Sequence, residues 1–207
     1  MTNTLDYYFA TPSPWAYLAT PRVIELKNKY DLKINWKPSD LMEIFAVHGV
    51  AAVKDRPQPV QLNCPQPVQL NRLTELKRWS KFLNIPLTLQ PKFFPVDPTL
   101  SHRTIILAQK NNINVENLIF SFQKSVWADE KDISDENTII EICKSNNFDS
   151  SSIIEDANSE DIISEYKNNT EEALSKNVWG SPTFIYNNEL FWGQDRIDFL
   201  ERAIQNN

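Results

Sequence analysis

With 207 residues, 41% hydrophobic and 23% charged, the chain can bury a core without disulfide or metal staples, as one compact domain or a small domain with a large insertion. Lys and Arg number 21 against 27 Asp and Glu, a net charge of -6, and no basic block stands out, so no nucleic-acid surface is expected. Apolar runs of only a few residues exclude a membrane-spanning helix.

The first residues lack the basic region and apolar stretch of a secretory signal. Cys64 and Cys143 form no motif spacing, which points to a reducing cytosol. His48 and His102 are too few and too scattered for a zinc site or a His-centred triad.

The aromatic run at 5–9 predicts a first strand, and 14–29 predicts a helix that Pro21 should kink or break. Leu32, Ile34 and Trp36 alternate with polar residues and predict a second strand near 32–37. The segment Pro57–Asn63 is then repeated at Pro65–Asn71, reading as a duplicated, solvent-facing loop; a Pro-rich recognition segment is the alternative. From about 71 to 177 the apolar spacing is helical. One stripe is Leu73, Leu76, Trp79 and Leu83, and a cleaner one is Val115, Leu118, Ile119, Phe122 and Val126. Ser134-Asp135-Glu136 opens a helix through Ile139, Ile140 and Cys143, and Ser159-Glu160-Asp161 opens one running from Ile162 to Leu174. Strands return at Thr183–Tyr186 and Glu189–Trp192 around an Asn187-Asn188 hairpin turn, before an amphipathic helix through Ile197, Leu200 and Ile204. The order β-α-β, helices, β-β-α is that of an α/β thioredoxin-like domain (1–38 and 178–207) carrying an inserted all-helical domain (39–177).

Three short motifs can carry chemistry. Ser13-Pro14 is an ordinary helix start, with Ser at the cap and Pro in the first turn. The same geometry sets a hydroxyl and free N–H groups at the positive end of a helix dipole, where a thiolate is stabilised. Pro182, directly before a strand, is either an edge residue or a cis proline that presents the preceding backbone to an extended ligand. Asp195 either caps the last helix or meets a ligand ammonium, with Gln194 and the helix amides meeting a carboxylate. Of the three glycines, Gly180 and Gly193 fall in these motifs.

Several blocks closely resemble the 2-hydroxychromene-2-carboxylate isomerase family, the bacterial relative of kappa-class glutathione transferases in the DsbA-like thioredoxin superfamily. They are Ser13–Ala19, Arg78-Trp79 with Ile85-Pro86-Leu87, Val126-Trp127 with Asp132-Ile133, Val178–Phe184 and Leu190–Arg196. The resemblance implies glutathione as cofactor, an aromatic small-molecule substrate, a cytoplasmic homodimer, and a catalytic serine at Ser13 that hydrogen-bonds the glutathione sulfur. It further implies that Ser181 pairs with the cysteinyl unit before a cis Pro182, and that Gln194 and Asp195 hold the γ-glutamyl end. Disulfide oxidoreductases of the superfamily have cysteines at the places of Ser13 and Ala16, so a dithiol cycle has no nucleophile here. Where the family has an asparagine after the second strand this chain has Gly49, and where it has a lysine before the Arg-Trp helix it has Val68; Lys54 and Arg72 are nearby cations without an assigned role. Trp15, Phe45 and Trp127 are read as core, or alternatively as an apolar wall for the substrate. A kappa-type transferase or peroxidase, and a non-catalytic binding protein on the same scaffold, are the competing functional readings.

Overall fold

The computed structural model describes residues 3–49, 66–149 and 151–206. Along the chain these form β1 (Thr4–Phe9), α1 (Pro14–Tyr30), β2 (Lys33–Pro38), α2 (Leu41–Val47), α3 (Gln66–Leu83), α4 (Thr99–Lys110), α5 (Glu116–Trp127), α6 (Glu136–Ser145), α7 (Ile153–Ala157), α8 (Glu160–Ser175), β3 (Thr183–Tyr186), β4 (Glu189–Trp192) and α9 (Ile197–Gln205). A single 3-10 turn, Gln194–Arg196, joins β4 to α9. The sheet has four strands in the order β2-β1-β3-β4. β1 runs parallel to β2 and antiparallel to β3, and β3 and β4 form a hairpin.

β1 is therefore an inner strand, and its side chains explain how both faces are covered. Leu5, Tyr7 and Phe9 enter the main core with residues of α1, α4, α5, α6 and α8. Tyr8 points the other way and packs with Ile44, Ala173 and Val178. Tyr7 is central to the first face. Its ring lies 5.5 Å from Trp36 and 4.9 Å from Phe184 on the neighbouring strands, and its hydroxyl meets Thr20 Oγ1 at 3.1 Å. The contact seats α1 on the sheet. Desolvation in that position raises the Tyr7 pKa far above its ordinary value, so the phenol keeps its proton.

Two expectations change. α1 runs without a break through Pro21. An interior proline costs about 3 kcal/mol in helix propensity, and the burial of Tyr17, Leu18, Ala19 and Val23 around it offsets that cost. The second copy of the repeat is not a loop: residues 66–71 are the opening turns of α3, where Pro67 sits in the first turn and loses no helical hydrogen bond. The first copy lies outside the described residues. Helices α2, α4 and α7 had no stripe of their own in the sequence; α2 and α7 are too short to show one, and α4 is buried on several sides, with Ser101, His102 and Thr104 inside. α6 begins at the Ser134-Asp135-Glu136 segment as expected, with Asp135 as its cap, accepting from Thr138 N at 2.8 Å. The hairpin turn at Asn187-Asn188 has both residues at positive φ.

On the sheet face that carries Tyr8, α8 is held by charge as well as packing. Glu172 accepts hydrogen bonds from Tyr8 Oη at 2.8 Å, Lys37 Nζ at 2.9 Å and Lys176 Nζ at 2.7 Å, while Lys176 also reaches Asp6 Oδ2 at 2.8 Å. Burial alone would raise the Glu172 pKa, but the donors from Lys176, Lys37 and Tyr8 outweigh it and hold the carboxyl at about 2. A depressed carboxyl pKa stabilises the fold above the unfolded-state value and ceases to do so as pH falls through the folded-state value. Glu172→Gln is therefore expected to lower stability by about 1 kcal/mol at pH 7, allowing for solvent screening. In denaturant melts of the two proteins, that difference should stay constant above roughly pH 5 and narrow as the pH falls further; a pH-independent gap contradicts the assignment.

Candidate active site at the helix α1 N-terminus

The sheet register brings three loops to one end. Tyr8 pairs with Thr183, so the chain leaving β1 passes the chain entering β3. Thr183 also pairs with Trp192, so the chain entering β3 lies beside the chain leaving β4. The β1–α1, α8–β3 and β4–α9 loops meet there, with the N-terminus of α1 among them.

Ser13 is the N-cap of α1, with Pro14 following in the first turn. Its Oγ accepts from Ala16 N at 3.3 Å and donates its one proton to the carbonyl of Ser181 at 3.0 Å. Ser181 answers from the other side, its Oγ accepting from Ala10 N at 2.9 Å. The Ser181–Pro182 peptide is cis. Pro182 O accepts from Gly193 N at 3.0 Å. Among the described residues, no hydrogen bond uses the Ser181 N–H. Within the described residues, the Ser181 main-chain groups are thus a donor without a partner and a carbonyl held by one hydroxyl.

Gln194 is 2% exposed, and Arg22 of α1 holds it: Nη1 donates to its main-chain O at 2.8 Å and its side-chain Oε1 at 3.2 Å. With Oε1 turned to Arg22, the side chain offers its NH2 as a donor elsewhere. Arg22 also bonds Asp198 at 2.7 Å and stands 6.0 Å from the Trp79 ring centre, which ties α1 to α9 and α3. Nothing in the sequence marks Arg22, because an arginine inside a helix reads as part of a solvated face. Asp195 is exposed and pairs with Arg196 at 2.9 Å. It does not cap α9: Arg196 occupies that position and no side-chain cap bond forms.

Trp127 is core, 2% exposed, with Phe94 at 4.9 Å, and its Nε1 donates to Pro12 O at 3.2 Å. Trp15 and Phe45 are half-buried. The exposed aromatic surface beside these loops is instead Trp179 and Trp192, 42% and 48% exposed, with rings 5.5 Å apart. Trp192 explains a glycine: a Cβ at Gly180 would meet its indole, 3.0 Å from Cε2 and closer still to Nε1. Gly193 has φ +106, and a Cβ there would stand 2.6 Å from Asp195 Oδ1. Gly49 is exposed, with nothing among the described residues within 4 Å of a Cβ. Val68 and Arg72 fall in α3, the latter half-buried, while Lys54 lies outside the described residues.

The family model for the DSBA-like thioredoxin domain matches residues 4–205. The chain belongs to that family. Within the DsbA-like family it is 25% identical, over 97% of both chains, to a 2-hydroxychromene-2-carboxylate isomerase of Sphingobium xenophagum. It is 23% identical to glutathione S-transferase kappa 1 of Caenorhabditis elegans, over 97% of this chain and 90% of that one. A solved 2-hydroxychromene-2-carboxylate isomerase superposes with a TM-score of 0.78 at 23% identity, covering 98% of this chain and 95% of the other. The architecture is the thioredoxin-like DsbA fold, as the element order and the resemblance led one to expect. No helix among the described residues is long and apolar enough to cross a membrane.

Gly180→Ala should force the Trp192 indole off its seat. The expected result is a loss of about 1–3 kcal/mol and a shifted tryptophan emission maximum, read by chemical denaturation followed in fluorescence. Unchanged stability and emission would mean the indole does not rest on that backbone.

Proposed function

We propose that this DsbA-like chain is a glutathione-dependent isomerase of the 2-hydroxychromene-2-carboxylate type, acting on an aromatic, carboxylated cyclic compound. The observation that carries the reading is the set of hydrogen-bonding groups around Ser181: among the described residues, a main-chain N–H without a partner and a carbonyl that accepts from the Ser13 hydroxyl alone, with the α1 N-terminus behind that hydroxyl. An extended peptide thiol suits this set, because one residue can pair with both Ser181 main-chain groups. Relatives named for this isomerase and for a kappa glutathione transferase support the choice of ligand.

Ser13 and Ser181 would hold the cysteinyl unit, and Gln194 and Asp195 the γ-glutamyl end. Gln194, turned by Arg22, would give its NH2 to a carboxylate, and Asp195 would accept from an ammonium in place of its present Arg196 partner. When bound, glutathione supplies a thiolate nucleophile for reversible addition to a conjugated ring system and is returned unchanged. The residues of this chain set the conditions for that chemistry. Ser13 Oγ has one proton, and Ser181 O now takes it. Once a ligand N–H satisfies Ser181 O, Ser13 can turn that proton toward a sulfur while Ala16 N still donates to its oxygen. The positive end of α1 favours the same anion. Ala16, one turn into the helix, carries no sulfur to compete.

Calorimetry with glutathione, followed by assay of a chromene carboxylate with and without it, tests the reading. Binding and glutathione-dependent isomerisation are expected, with Ser13→Ala losing most of the rate. Arg22→Leu should weaken glutathione binding by roughly tenfold, since Gln194 loses the donor that orients it. No heat of binding at millimolar glutathione, or full activity in Ser13→Ala, overturns the proposal. Turnover of a chlorinated nitroaromatic but not of the chromene would favour a kappa-type transferase instead. A homodimer goes with this reading, and light scattering on the eluted protein reads it.

A further inference from the structure

The loop that carries Ser13 is pinned by a side chain the proposed chemistry does not use. Its main-chain donors are all taken: Ala10 N by Ser181 Oγ at 2.9 Å, Thr11 N by His102 Nε2 at 2.9 Å, and Ser13 N by Ala10 O at 3.0 Å, while Pro12 has no N–H. Thr11 Oγ1 also meets Ser101 Oγ at 2.8 Å, so two adjacent residues of α4 grip one residue of the loop. His102 is fully buried, with Phe9 and Tyr166 edge-on to its ring.

The hydrogen bonds determine the tautomer. Thr11 N–H can only donate, so Nε2 is unprotonated; the ring proton sits on Nδ1 and is donated to Tyr166 Oη at 3.1 Å. We infer that His102, as the neutral Nδ1–H tautomer, is a positioning residue that fixes the Thr11 backbone and through it the Ser13 hydroxyl. Burial pushes its pKa down to about 3 against the opposing charge of Asp97, which agrees with a neutral ring. Burial likewise raises the Tyr166 pKa, so its oxygen remains a phenol able to accept. The consequence for catalysis rests on the isomerase reading; the tautomer and the grip on Thr11 do not.

The test uses the full chain with His102→Leu, which removes the acceptor, and His102→Gln, whose side-chain oxygen can replace it. Nitrogen NMR of the wild-type imidazole should show Nδ1 protonated and Nε2 bare and hydrogen-bonded. Exchange of the Thr11 amide should quicken by roughly tenfold or more in His102→Leu and return toward the wild-type rate in His102→Gln. With chromene carboxylate and glutathione, kcat should fall by a similar factor in the leucine variant, with KM little changed and kcat restored by glutamine. A proton on Nε2 overturns the inference, and that readout needs no variant to fold. Thr11 exchange unaffected by leucine overturns it as well. Wild-type protein that ignores glutathione would remove the isomerase reading while leaving the imidazole and Thr11 results to decide this one.

Discussion

The hydrogen bond from the Ser13 hydroxyl to the Ser181 carbonyl joins the start of the first helix to the start of the third strand. It forms only because β1 lies between β2 and β3, so that the chain leaving one strand passes the chain entering the other. Tyr7 beneath α1, Trp127 on Pro12, and Ser101 with His102 on Thr11 each hold a different part of the same stretch of chain. Together these contacts fix the stretch of chain that carries the Ser13 hydroxyl. A buried N–H left without a partner would cost more than its hydrogen bond contributes, and each N–H from Ala10 to Ser13 has one.

The helices between β2 and β3 matter to the site for the same reason. α4 and α5 supply the side chains that grip the loop, and they share one apolar core with the sheet. On the opposite face, Glu172 and Lys176 fasten α8 to β1 and β2 through charge. Cys143 sits deep in the shared core, where burial pushes its thiol up to about 12 and leaves it a packing residue rather than a nucleophile.

Local signals in the sequence accounted for the strands, the hairpin and the helices with strong apolar stripes, because alternation, paired asparagines and capping acids act over a few residues. Ser13 as a cap was legible for that reason. Arg22 and His102 were not: each works through a partner far along the chain, Gln194 and Thr11, and no local pattern records such a pairing. Pro21 did not break α1 because tertiary burial outweighed a local penalty. The repeat misled at its second copy because a proline near a helix start costs little, whatever it suggests about loops. The residues that bring Ser181, Gly193 and Ser13 together are separated widely in sequence, and only the strand register unites them.

The cap of α1 is an alcohol, Ser13, so the sulfur of the proposed chemistry comes from the ligand. The proposed chemistry depends on the Ser13 proton leaving Ser181 O when a ligand amide arrives, and then favouring the ligand's thiolate. Ultraviolet titration of the bound thiol, comparing glutathione with an analogue methylated on its cysteinyl nitrogen, tests this directly. A thiol pKa well below the free value is expected for glutathione, and one near the free value for the analogue. Equal pKa values for the two bound ligands would contradict it.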